Sequence, residues 1–242
     1  MTIIVIDIET IGCEDPAVIA EITAHISPPR NISRAESFAK WRAEQLPCLI
    51  DDAVKKTSFY GALGRIICVG LAVDNEPAEC FDAFEEKTLL AQAFARIKDA
   101  STTHAFARLK TASTANFKLA GDHDVDNVVF VGHNLVGFDL RFLWQRAVIH
   151  GLKPPLSLLR AMQAKPWDKC IADTMLMWSP ERELRISLDK LCKALGVPTS
   201  KGDIDGPKVW QAFKDGRLRE IAAYCKADVE ATRECYKRMI FS

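Results

Sequence analysis

Residues 2–8, TIIVIDI, form an apolar, largely β-branched run broken by Asp7, and such a run reads as a strand. A second run, RIICVGLAV at 65–73, follows the turn-like stretch from Gly61 to Gly64, and both read as central strands of a sheet. A short strand around 78–82 precedes a helix predicted over 85–98, where Leu89, Leu90, Ala93, Phe94 and Ile97 recur at helical spacing. VVFVG at 128–132 is a buried strand, followed after a loop by a helix near 138–150. The C-terminal third is helical. Ser187 caps SLDKLCKALG, which stops at Gly196 before Pro198, and two further helices cover about 207–215 and about 217–239. The fold class is therefore α/β, a mixed sheet flanked by helices. Residues 12–60 read as short helices broken at Pro28, Pro29 and Pro47, while 99–127 is rich in Ser, Thr, Ala and Asp. Both are taken as insertions into a single domain spanning 1–242.

Lysine plus arginine number 32 and aspartate plus glutamate 32, so bulk charge does not drive this chain onto duplex DNA or an anionic membrane. Any nucleic-acid contact has to be local. The eight cysteines include no C-x-x-C pair, which favours reduced thiols, several of them buried, over a disulfide framework or a zinc site. There is no basic segment ahead of the N-terminal apolar run, and no stretch approaches about 18 uncharged apolar residues. The expectation is a cytoplasmic protein without a membrane partner.

Three short segments carry the chemistry. Asp7 and Glu9 stand two apart on the first strand, so the strand period places both carboxylates on one face. Side by side in a central strand they cost desolvation and repulsion unless a cation lies between them; alone, the same pair also suits a strand end facing water. Asp139 lies in GHNLVGFDLRFL at the start of a helix, where an N-cap role is the plain alternative. Tyr224 and Asp228 in YCKADVEAT are four apart on the last helix, hence on one face.

Taken together, DIET (Asp7, Glu9), GHNLVGFD (Asp139) and YCKAD (Tyr224, Asp228) resemble the DEDD 3′-5′ exonucleases of the RNase H-like fold, in the order that family requires. The tyrosine four before the last aspartate, with Ala223 where the sister subclass has histidine, points to the tyrosine subclass. The segments SLDKLCKALGVP and KGDIDGPKVW resemble bacterial and phage exonucleases related to the proofreading domain of family B DNA polymerases. The resemblance implies an RNase H-like sheet and two divalent ions, Mg²⁺ or Mn²⁺, about 3.5 to 4 Å apart. Asp7 would bridge the ions, Glu9 and Asp228 would complete one shell, Asp139 would hold the other ion, and Tyr224 would orient the attacking water. The substrate implied is the 3′ end of a single strand, DNA rather than RNA, cleaved to nucleoside 5′-monophosphates. An RNase D-like or oligoribonuclease-like RNA enzyme and a catalytically silent binding module are the alternatives, and the resemblance leaves room for replication or repair proteins as partners. Thr10, Ile11, Asn134 and Phe138 are the substrate-contact candidates beside the carboxylates, with ordinary core packing the alternative for Ile11 and Phe138, and Arg141, Lys201, Lys208 and Lys226 suit either phosphate contact or a solvated face. Asp173 in IADT is expected to be structural.

Overall fold

Strand β1 (Thr2–Ile11) runs through the centre of a five-stranded sheet of order β3-β2-β1-β4-β5, with β2 at Arg65–Val73, β3 at Glu79–Asp82, β4 at Val128–Gly132 and β5 at Ile171–Asp173. The structure, a computed structural model, describes residues 1–111, 128–165, 167–181, 184–199 and 202–242. β1 pairs antiparallel with β2 and parallel with β4, and the outer pairs are antiparallel for β2 with β3 and parallel for β4 with β5. The sheet is therefore mixed, as its apolar runs predict.

Alternation along the strands divides the core into two layers. Ile4, Ile6 and Ile8 of β1, with Val69 and Leu71 of β2 and Phe130 of β4, pack against α4 (Glu86–Thr111), α5 (Asp139–Ile149) and α6 (Leu156–Gln163). On the opposite face Val5, Ala72, Val129 and Val131 meet Val229 and Tyr236 of the long helix α10 (Leu218–Met239). Asp7 and Glu9 continue the Val5 stripe, so the strand period aims both at the α10 face.

Residues 12–60 fold as short helices, α1 (Pro16–Ala24), α2 (Ala35–Glu44) and α3 (Leu46–Lys56), with a 3₁₀ turn at Thr57–Phe59. The break expected at Pro47 falls just before it, between α2 and α3, and Pro47 occupies the first turn of α3, where its missing N–H costs nothing. The segment is held close to the strand. A Cβ on Gly12 would lie 2.3 Å from the Val54 carbonyl oxygen, and Cys13 N donates to Thr57 Oγ1 at 2.7 Å.

The helix predicted over 85–98 continues to Thr111 in α4. Ala100 is buried, and the Ser101 and Thr102 hydroxyls bond back to the Ile97 and Lys98 carbonyls, so polar residues that suggest a loop are absorbed into the helix. The remainder of the stretch 99–127 expected to be an insertion, residues 112–127, lies outside the described residues.

Three elements carried no signal in the sequence: α6, the three-residue β5 and the five-residue α7 (Thr174–Trp178). The last two are too short to show a period. The predicted cap of α8 (Leu188–Leu195) is present, with Ser187 accepting from Lys190 N at 3.5 Å and Gly196 closing the helix at φ 65°. α9 (Gly206–Lys214) precedes α10. Among the described residues no helix is long and apolar enough to cross a membrane, and all eight cysteines are free thiols.

Candidate active site

The site forms where β1 outlasts its parallel neighbour. Pairing with β4 ends at Val5↔Val131, whereas pairing with β2 continues through Asp7↔Gly70 and Glu9↔Cys68 to Ile11↔Arg65. The gap at the carboxyl ends of the parallel strands is where ligands of open α/β sheets bind.

Three elements deliver the carboxylates. Asp7 and Glu9 come from β1, and α10 lies directly across them because the facing position on β2 is Gly70. A Cβ there would meet Cys225 Sγ and Val229 Cγ2 at 2.8 Å, so glycine allows the helix to approach. That approach brings oxygens of Asp7, Glu9 and Asp228 within 4.8 Å of one another. Asp228 is buried, while Asp7 and Glu9 keep part of their surface at the open side.

Asp139 stands outside that trio but touches its backbone. Its Oδ1 accepts from Ile8 N, between Asp7 and Glu9, at 3.2 Å. It is not the cap of α5; Phe138 holds that position and Asp139 is the first helical residue, buried to 3% exposure. The loop before it is fixed by Asp173, whose oxygens accept from Asn134 N and Val136 N at 3.0 and 3.1 Å and also from the first turn of α7. Asp173 is thus structural. His133 is held between Thr174 Oγ1 and the Ile186 carbonyl, each 2.9 Å away, and burial lowers its pKa, which keeps the ring neutral.

The electrostatics of the cluster are one-sided. Burial raises the pKa of Asp7 well above the usual carboxylate range, and Asp228, Glu9 and Asp139 raise it further. Glu9 is raised in the same way by burial, then by Asp228 and Asp139. Asp139 is raised mainly by burial, partly offset by the backbone N–H groups it accepts. The charged neighbours acting most strongly on Asp7, Glu9 and Asp139 are all negative, and the donors of the cluster are all oxygen. Such a set fits a hard divalent cation. Tyr224, one turn before Asp228 on α10, donates its hydroxyl to that carboxylate. Burial and then the surrounding carboxylates push its phenol far above the ordinary range, so it stays protonated.

Beside the acids opens a cleft of about 480 Å³, walled by Glu9 and Thr10, by Phe138, by Pro207 and Trp210 of α9, and by Lys55, Ser58 and Phe59. The last three belong to the segment 12–60, for which the sequence offered no role. Phe59 is 62% exposed and meets the Phe138 ring edge-on at 6.4 Å between centroids. Trp210 Nε1 donates to Asp51 of α3 at 2.9 Å, Lys214 pairs with the same carboxylate at 2.9 Å, and Lys55 Nζ donates to the Pro207 carbonyl at 2.6 Å. These bonds hold α3 against α9. Hydrogen bonds from Lys214 and Trp210 accordingly lower the Asp51 pKa.

Of the four substrate-contact candidates, Thr10 and Phe138 line the cleft. Thr10 Oγ1 donates to the Ser58 carbonyl at 2.8 Å. Ile11 is fully buried among Ile204, Val209 and Ile221, because the strand period returns it to the α10 face where α9 covers it. It is a core residue, not a contact. Asn134 is not among the cleft walls; it turns the loop at φ 64° with its side chain over Gly137. Lys208 is engaged with the Asp203 carbonyl and Asp205, Arg141 borders a different hollow with Leu140 and Trp144, and Lys201 lies outside the described residues.

A family model described as a predicted 3′-5′ exonuclease related to the exonuclease domain of PolB matches residues 117–241, just over half of the chain. The chain belongs to that family. The stretch matched to these PolB-related exonucleases carries Asp139, Tyr224 and Asp228, while Asp7 and Glu9 precede it. Among solved structures, the family B DNA polymerase from the hyperthermophilic archaeon Pyrobaculum calidifontis is similar over 99% of this chain, with a TM-score of 0.56 and 16% identity. At that identity the likeness is one of fold. The chain spans 24% of that polymerase chain. No curated protein matches it.

Proposed function

We propose that this chain is a divalent-metal-dependent exonuclease of the tyrosine subclass that removes nucleotides from the 3′ end of single-stranded DNA and releases nucleoside 5′-monophosphates. The observation that carries the reading is the meeting of Asp7, Glu9 and Asp228 within 4.8 Å at the edge of an aromatic cleft, where the neighbouring charges acting most strongly on Asp7 and Glu9 are other carboxylates. Asp7, Glu9 and Asp228 would hold Mg²⁺ or Mn²⁺, with Asp139 completing the set. When bound, a pair of such ions supplies a nucleophilic water and neutralises charge on the phosphate under attack.

The chain's own groups do the rest. The carboxylates are costly together and are therefore poised for cations. Tyr224, protonated and bonded to Asp228, is a hydrogen-bond donor that orients and cannot act as a base at neutral pH. Phe59, Phe138 and Trp210 give the terminal bases apolar faces, which suits sequence-tolerant stacking. Lys55 lies on the same wall and supplies a positive charge there. The preference for DNA rests on the kinship with the PolB exonuclease domain.

The test is digestion of 5′-labelled single strands of DNA and of RNA with Mg²⁺ or Mn²⁺. A ladder shortening from the 3′ end of DNA, abolished in Asp7→Ala, is expected. Internal cuts or an intact strand would overturn the reading, and faster digestion of RNA would reassign the substrate.

A further inference from the structure

A second ligand cluster lies beside the first and is made of sulfur. Cys68 on β2, Cys80 on β3 and Cys225 on α10 bring their Sγ atoms within 4.8 Å of one another. The meeting follows from register. Cys68 is paired with Glu9 and Cys80 with Gly70, so both face α10, and Gly70 admits α10 closely enough for Cys225 to reach them. Cys68 and Cys225 are fully buried; Cys80, on the edge strand, is half-buried and gives the cluster one opening to solvent.

We propose that Cys68, Cys80 and Cys225 form a binding site for one soft, thiophilic metal ion of the Zn²⁺, Cd²⁺ or Cu⁺ class. Three sulfurs around one ion at about 2.3 Å stand roughly 4 Å apart, which fits inside the observed spacing with little movement. Sulfur donors select soft ions as strongly as the neighbouring carboxylates select hard ones, so the two clusters sort cations by donor chemistry. Binding releases the thiol protons to solvent. An ion held there ties β2 and β3 to α10, one sulfur away from the acids: Cys225 Sγ lies 3.4 Å from Asp7 Oδ2. The remaining buried pair, Cys192 and Cys235 with sulfurs 3.6 Å apart, supplies only two donors and serves as the control.

The experiment is titration of the reduced, metal-free chain with Cd²⁺, read by the ultraviolet thiolate-to-cadmium charge-transfer band, in an Asp7→Ala background that disables the carboxylate site. A band saturating at a single equivalent is expected, with a matching rise in melting temperature. It should be lost in Cys80→Ser, whose half-exposed position tolerates the change, and kept in the Cys192→Ser, Cys235→Ser double variant. Absence of the band, its persistence in Cys80→Ser, or its loss in the double variant would overturn the proposal. Because the readout needs no nuclease activity, its failure is distinct from failure of the exonuclease reading.

Discussion

Replacing Asp7 by Asn should stabilise the metal-free chain while abolishing its activity. The amide keeps an oxygen for the Cys225 thiol, so the change is mainly one of charge. Two ionised carboxylates with oxygens at most 4.8 Å apart repel by about 3.5 kcal/mol or more at an effective dielectric of about 20, and Asp7 has two such neighbours. Burial and the neighbouring carboxylates raise the Asp7 pKa, so proton uptake relieves part of this repulsion as pH falls, and partial exposure screens more of it. A net gain of about 1 to 2 kcal/mol remains, or about 2 to 8 °C in melting temperature for a chain of this length. The pH dependence has a defined sign. A folded-state pKa raised above 3.8 means that wild-type stability falls as pH rises from about 3.8 through the raised value. The advantage of Asp7→Asn should therefore be largest at neutral pH and shrink towards pH 4. Thermal melts in chelator at both pH values measure it, and added Mn²⁺ should raise the wild-type midpoint far more than the variant's. A variant that melts at or below the wild type in chelator at neutral pH would refute the reasoning, because the acids would then be compensated by something other than a cation.

Tyr224→Phe should lower the rate by on the order of 10² to 10⁴-fold with melting temperature nearly unchanged, and undiminished turnover would remove Tyr224 from the chemistry. Phe59→Ala should raise KM for single strands by about 5- to 100-fold, the equivalent of roughly 1 to 3 kcal/mol for one stacked base, with kcat less affected; an unchanged KM would show that the exposed ring does not meet substrate. Glu86→Ala removes a buried carboxylate that accepts from Ile66 N and both Arg146 Nε and Nη2 at 2.6 to 2.9 Å and lies 2.7 Å from His150 Nε2. Leaving Arg146 with the Gly61 carbonyl alone should cost about 3 to 5 kcal/mol in denaturant unfolding, and a loss under about 1 kcal/mol would contradict the burial of that network.

The sequence by itself determined the sheet and the acids. Apolar β-branched runs can satisfy their backbone and bury both faces only as inner strands, so 2–8, 65–73 and 128–132 were legible, and helical spacing gave the helices that carry Asp139, Tyr224 and Asp228. The two-residue period put Asp7 and Glu9 on one face before any contact was known. The same period, followed one step further, buries Ile11, but its covering helix α9 is almost 200 residues away and could not be read locally. Tertiary structure alone decided the rest. Gly70 sets how close α10 comes, and that approach joins Asp228 to Asp7 and Cys225 to Cys68 and Cys80. The exposed ring of Phe59 becomes a cleft wall because Asp51 and Lys55 fasten α3, which leads into it, to α9. Local sequence encodes which face a side chain takes, because the periods are properties of the backbone; which faces meet depends on packing between segments far apart in the chain.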